Sequence, residues 1–168
     1  MAVIKGEFEP IYKGGVSFDP SGPGINGNMW LDTSTNILYI HDDVRGKWIS
    51  ANRNYIEFVR NGVSDGMYMP IIGDLDSEVD YFTPGKDSVI TAVYCRSRGG
   101  VADKTFIIYK NDVNVFEFLY TGGDREYTNN SVDIDVNKDD RVKLYVTEYG
   151  GPTKAPFCRI EYAWRYVP

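Results

Sequence analysis

The acidic side chains of GDLDSEVD, Asp74, Asp76, Glu78 and Asp80, lie close enough together to hold a hard cation through oxygen. A calcium loop starting at Asp74 would need glycine at its sixth position and a bidentate glutamate at its twelfth, where the chain has Val79 and Gly85. The motif fails, so the run reads as a solvated turn before a strand and no metal is expected. Covalent catalysis would need a nucleophile, a base and an orienting group. His41 is the single histidine, in HDDVRG at a strand end, and reads as a turn-flanking surface group. Cys95 and Cys158 fall inside runs that read as strands, ITAVYCRS and PFCRIEYAW, and read as small reduced core residues. GVSDG at 62–66 and GPGING at 22–27 match GxSxG and GxGxxG by letter alone, the first in the turn cluster NGVSDG and the second in a glycine- and proline-rich stretch with no strand before it and no helix after it; no cysteine-protease signature and no GxxxxGK[ST] is present. No catalytic residue and no cofactor is expected, although a carboxylate pair would leave no short signature. The chain's 13 tyrosines offer a different chemistry: rings that stack on sugars, or that fill a sandwich core and a subunit interface.

The elements that must position these residues are β-strands. Residues 1–28 are rich in glycine and proline, as in YKGGVSFDPSGPGING, and read as an extended arm that gains order by lying on another surface. NMWLD, ILYIHD and KWIS then alternate around the turns TSTN and DVRG, which predicts a three-stranded meander. With period two, Trp30 and Asp32 oppose Met29 and Leu31, while Ile37, Tyr39 and His41 oppose Leu38 and Ile40. One face is aromatic and the other aliphatic. A sheet this small is marginal alone, so the same chain, a second copy or an attachment surface must cover it.

From Asn54 onward, runs rich in valine, isoleucine and aromatics predict strands near YIEFVR, GMYMPI, VDYFT, SVITAVYCRS, KTFIIYK, VNVFEFLY, SVDIDV, DRVKLYVTEY and FCRIEYAWRYV. In SVDIDV, Asp133 and Asp135 face water while Val132, Ile134 and Val136 face inward. Turn clusters separate the runs, among them TGGDREYTNN. The fold class expected is all-β: an N-terminal extended arm and small three-stranded meander, residues 1–53, followed by a jelly-roll-like β-sandwich, residues 54–168.

A formal net charge of -6, with scattered lysines and arginines, would repel nucleic acid and an anionic membrane. No run approaches the roughly 20 apolar residues of a membrane span, and MAVIKGEFEPIYKGG lacks the apolar core of a signal peptide. Synthesis in a cytosol is the expectation, which makes the Asn129 glycosylation sequon a chance match.

The stretch GNMWLDTSTNILYIHDDVRGKWIS, with Trp30, Asp32, Thr33, Leu38, Tyr39 and Trp48 at matching positions, resembles the tryptophan-containing meander of tailed-bacteriophage virion proteins. Residues 83–168, through SVITAVYCRS, FIIYKNDVNVFEF and VDIDVNKDDRVKLYV, resemble the jelly rolls of trimeric phage head fibres and the C1q-like fold. Where that family leads into the DRVKLYV strand with a lysine-glycine-aspartate turn, this chain has Asn137, Lys138, Asp139 and Asp140. The resemblance implies a non-enzymatic component of a virion surface, a homotrimeric capsid decoration or head fibre anchored on a capsid or neck surface through its arm. The anchoring residues it suggests are Phe8, Tyr12, Phe18, Trp30, Tyr39 and Trp48. The alternatives are a tail-fibre or baseplate component and a module that binds host-surface glycans through exposed tyrosines and acidic loops, with or without calcium.

Overall fold

The computed structural model describes residues 27–60, 63–64, 66–71, 81–97, 99–100, 103–121, 126–147 and 153–167. Phe8, Tyr12, Phe18 and the 74–80 acidic cluster lie outside them. The described residues form antiparallel strands and no helix. The chain divides into two compact units, Met1–Asn52 with Arg165–Pro168, and Arg53–Trp164.

The first unit holds β1 (Met29–Asp32), β2 (Ile37–Asp42) and β3 (Lys47–Ser50), in the order β1-β2-β3. Its first turn is closed by Asp32, whose carboxylate accepts the Ser34 N–H at 2.9 Å, the Ser34 hydroxyl at 2.7 Å and the Thr35 hydroxyl. Those hydrogen bonds, led by the one from Thr35, hold the Asp32 carboxyl below the ordinary aspartate range. Asn36 then takes φ 58°, a left-handed conformation asparagine tolerates. In the second turn the Asp42 carboxylate accepts from the Arg45 backbone and guanidinium, and Gly46 takes φ 62°.

Register puts Trp30 opposite Tyr39, Tyr39 opposite Ser50, and His41 opposite Trp48. The aromatic face is the buried one: Trp30 and Tyr39 are 7% and 5% exposed. The aliphatic face is uneven: Leu38 is 36% exposed, whereas Ile49, opposite Ile40, is 1% exposed. The chain's own end completes this sheet. Arg165 bridges to Ile49, the Tyr166 N–H donates to the Trp48 carbonyl at 2.9 Å, and the Tyr166 ring packs edge-on against Trp30 and Tyr39. Residues 165–168, expected in the sandwich, therefore belong with the meander.

The second unit comprises β4 (Asn54–Val59), β5 (Val63–Ser64), β6 (Met67–Tyr68), β7 (Ser88–Arg96), β8 (Gly99–Gly100), β9 (Lys104–Lys110), β10 (Val113–Tyr120), β11 (Glu126–Asn129), β12 (Ile134–Val136), β13 (Val142–Val146), β14 (Thr153–Lys154) and β15 (Phe157–Trp164). One sheet runs β11-β7-β15-β4, with β12 also on β7; the other runs β10-β9-β13-β6. Because β11 and β12 pair with successive parts of β7, they act as one interrupted strand. Setting aside β5, β8 and β14, which make a small sheet of their own, eight strands remain in chain order. The first, eighth, third and sixth share one sheet and the second, seventh, fourth and fifth share the other, which is jelly-roll connectivity.

Alternate side chains of both sheets point between them. Phe58, Val93, Cys95, Cys158 and Ile160 meet Phe106, Ile108, Leu144 and Val146, each at most 1% exposed. Full burial of side chains this size contributes about 1.5–3 kcal/mol apiece. Phe118 stacks on Tyr127 at 4.4 Å and on Phe106 at 5.4 Å, which ties β11 to the core. Cys158 sits opposite Cys95 on the two central strands, and both thiols are free and buried. Burial, reinforced by the neighbouring Cys158, pushes the Cys95 thiol well above its ordinary pKa.

Candidate functional site

The sheet β10-β9-β13-β6 has a second face, turned away from the core, and it is tyrosine-rich. Along β13, Leu144 and Val146 point inward, so Lys143 and Tyr145 point outward. Tyr145 lies opposite Tyr68 of β6 on one side and Ile107 of β9 on the other, and Lys143 lies opposite Tyr109 of β9. Three half-buried tyrosines from three strands therefore meet on one patch. Ring centroids are 5.1 Å apart for Tyr68 and Tyr145, 5.9 Å for Tyr68 and Tyr109, and 6.3 Å for Tyr109 and Tyr145. All three pairs are edge-to-face, with interplanar angles of 67°, 65° and 89° respectively. Asn114 and Glu117 of β10, opposite Tyr109 and Ile107, border the patch.

A charged pair stands beside the rings because of one hairpin. β9 and β10 are joined by Asn111-Asp112, at φ 52° and 65°, the two-residue left-handed turn in which these residue types are favoured. The Asn111 side chain locks the turn to the start of β13, donating to Asp140 Oδ1 at 2.6 Å and accepting the Arg141 N–H at 2.9 Å. Asp112 is thereby presented to Lys143 Nζ at 2.9 Å and to Arg141 Nη2 at 3.2 Å. The hydrogen bond and charge of Lys143, with a smaller contribution from Arg141, hold the Asp112 carboxyl below the ordinary aspartate range. The Lys143 ammonium also lies 5.2 Å from the Tyr68 ring centroid, and the Arg141 guanidinium lies 5.6 Å from that of exposed Tyr81.

Chemically the patch offers apolar ring surface, phenolic hydroxyls, and an ammonium donor next to a carboxylate acceptor. That combination suits a polyhydroxylated ligand, whose C–H faces pack on rings while its hydroxyls both donate and accept. The outer face of the other sheet is more closed upon itself. There Arg159 donates twice to Glu57 Oε1, at 2.9 and 2.6 Å, and lies over both Tyr55 and Phe157, while Arg96 lies over Phe157.

Trp30 and Tyr39 stack on each other at 5.3 Å within the first unit, where burial, with smaller contributions from Asp32 and Tyr166, raises the Tyr39 pKa. Trp48 packs against His41 at 5.2 Å. His41 is not the surface group the sequence suggested: it is 7% exposed, and its Nδ1 donates to Asp43 Oδ1 at 2.7 Å. Asp133 is exposed beside buried Val132 and Val136, as alternation requires. Among the described residues, no group of three or more histidine, cysteine or acidic side chains could hold a metal ion. Reasoning from the sequence missed the grouping of Tyr68, Tyr109 and Tyr145; the available signal was tyrosine at the polar phase of strands such as KLYV and FIIYK.

No family model matches the chain, and no curated protein matches it. Among solved structures it is similar to the crystal structure of the Podospora anserina GH26-CBM35 β-(1,4)-mannanase, at 12% identity and a TM-score of 0.40, over 69% of this chain and 28% of that one. The chain thus spans less than a third of that structure, and a likeness this slight says nothing about its ligand.

Proposed function

We propose that the chain is a non-enzymatic binding protein whose jelly roll holds a carbohydrate on the tyrosine face of β6, β13 and β9. The observation that carries this reading is the meeting of Tyr68, Tyr109 and Tyr145 beside the Lys143–Asp112 pair on an outward sheet face. Aromatic patches rimmed by polar groups mark ligand surfaces when they are not spent on the core. A glycan array probed with the full chain tests it. Binding to one glycan class, lost in Tyr145→Ala and kept in Tyr145→Phe, supports the proposal; a blank array, or binding indifferent to Tyr145, refutes it.

We place this module on a virion surface, as host-attachment or capsid-decoration protein, on the strength of the meander that the resemblance associates with such proteins. The sealing of that meander by Tyr166 favours a rigid attachment unit distinct from the ligand-binding one. Particles assembled with and without residues 1–28 test the setting: loss of the protein from particles on deletion is expected, and full incorporation without the arm overturns it. The solution mass of the full chain tests the homotrimer.

A further inference from the structure

Cys95 and Cys158 take no part in the tyrosine face, and their placement carries a chemistry of its own. The two stand directly opposite each other on β7 and β15, the two middle strands of their sheet. Both side chains belong to the core between the sheets, so both point to the same side. Directly opposed residues of an antiparallel pair have Cα atoms about 4.5–5.5 Å apart, inside the range of about 4.4–6.8 Å that a disulfide spans. Paired strands flank them on both outer sides, with Tyr127 of β11 opposite Cys95 and Phe58 of β4 opposite Cys158, so the backbones carrying the thiols are held at that spacing. Besides burial, the Cys158 side chain itself acts on the Cys95 thiol by hydrogen bond and by charge, as an adjoining sulfur does.

This setting suits a cross-link and not a catalyst. The row across the sheet is Tyr127, Cys95, Cys158 and Phe58, and its members supply no base or cation to hold a thiolate. Both cysteines are fully buried, and only a solvated thiolate attacks a disulfide, so the closed sandwich keeps the pair unreactive. Reaction requires β7 and β15 to part. One thiolate then attacks a small disulfide, RSSR, forming a mixed disulfide and releasing one thiolate RS⁻; the second attacks the protein sulfur of that mixed disulfide and releases the other. The protein gives up two electrons and two protons, and RSSR leaves as two RSH. The loop so closed, about 60 residues long, contains β9, β10 and β13 of the facing sheet. The bond therefore forbids the very strand separation that admitted the oxidant.

We propose that Cys95 and Cys158 form a cross-linking site: thiols in a reducing medium, they close to a disulfide when the sandwich opens in the presence of a small-molecule disulfide, and the refolded sandwich accommodates that bond and is locked by it. The test uses the full chain in mixtures of reduced and oxidised glutathione, approached from the reduced and the pre-oxidised side, under native conditions and in concentrated urea. After an acid quench, unfolding and alkylation, mass spectrometry reports the Cys95–Cys158 link. The equilibrium constant for its formation should be about 100-fold or more greater in the folded chain than in the unfolded one. Chain closed in urea and refolded should show hydrogen exchange of residues 88–96 and 157–164 slowed about tenfold or more, and reduction should restore the original rates. A folded-state constant no greater than the unfolded one, glutathione adducts in place of the link, or exchange unchanged or quickened in the closed form would each overturn the proposal and leave two inert core thiols.

Discussion

Tyr166→Ala should loosen the meander selectively. The Tyr166 ring stands edge-on to Trp30 at 4.8 Å and 78°, and to Tyr39 at 6.0 Å and 72°. Each such pair contributes about 0.5–1.5 kcal/mol beyond area burial, and the two share a ring, so they are not additive. About 2 kcal/mol is the expected loss, because alanine also uncovers Trp30 and Tyr39 while keeping the backbone hydrogen bond to Trp48. A chain with two units is a poor subject for a single melting curve, so the assay is hydrogen exchange of peptides covering residues 28–50. Where reclosing outruns exchange, about 2 kcal/mol is about 30-fold faster exchange. Tyr166→Phe should recover most of the protection. Removal of residues 165–168 should cost more than Tyr166→Ala, since it also deletes the Ile49 bridge and a hydrogen bond of about 0.5–1.5 kcal/mol. Unchanged protection of residues 28–50 in Tyr166→Ala would refute the idea that the chain's own end seals this sheet.

Other consequences are equally direct. Asp32→Ala strips the first meander turn of its acceptors and should destabilise residues 28–42 by about 1 kcal/mol in the same exchange assay. The Asp32 pKa is depressed in the folded state, so its contribution is present above the unfolded aspartate pKa and lost as pH falls through the folded value; Asp32→Asn should remove that acid-side component from stability measured against pH. Lys143→Gln should raise the Asp112 pKa toward the ordinary range, read by carboxyl NMR titration, whereas an unmoved titration would mean that Lys143 is not its main partner. Both cysteines should resist an aromatic disulfide reagent in the native protein and react on denaturation, because each is fully buried and Cys95 stays protonated at neutral pH; rapid native labelling would contradict the packing of β7 on β15.

The meander was legible because its turns announce themselves. Asp32 precedes TSTN and Asn36 ends it, Gly46 ends the second turn, and the three strands fall where alternation puts them. The sandwich was legible where long apolar alternation fills two central strands, as in SVITAVYCR and KTFIIYK. β11 was not, because EYTN lies in a run of polar turn-type residues and only Tyr127 reaches the core; its strand identity comes from pairing with β7. VDYFT read as a strand, yet among its described residues only Phe82 makes a bridge, to Val142. The last strand read through Val167 but ends at Trp164, since nothing in an alternating pattern says which sheet a residue will join. His41 misled for a related reason: a histidine at a strand end looks exposed until Trp48 is placed across from it. The tyrosine face depends on register between β6, β13 and β9, which brings together residues from positions 68 to 145.

The measurement that most directly tests the account is an NMR titration of the full chain, amide-labelled, with the strongest glycan from the array. The account predicts that shifts concentrate at Tyr68, Tyr109, Asp112, Lys143 and Tyr145. Shifts confined to the opposite face, at Tyr55, Arg96, Phe157 and Arg159, or to the meander, would contradict it.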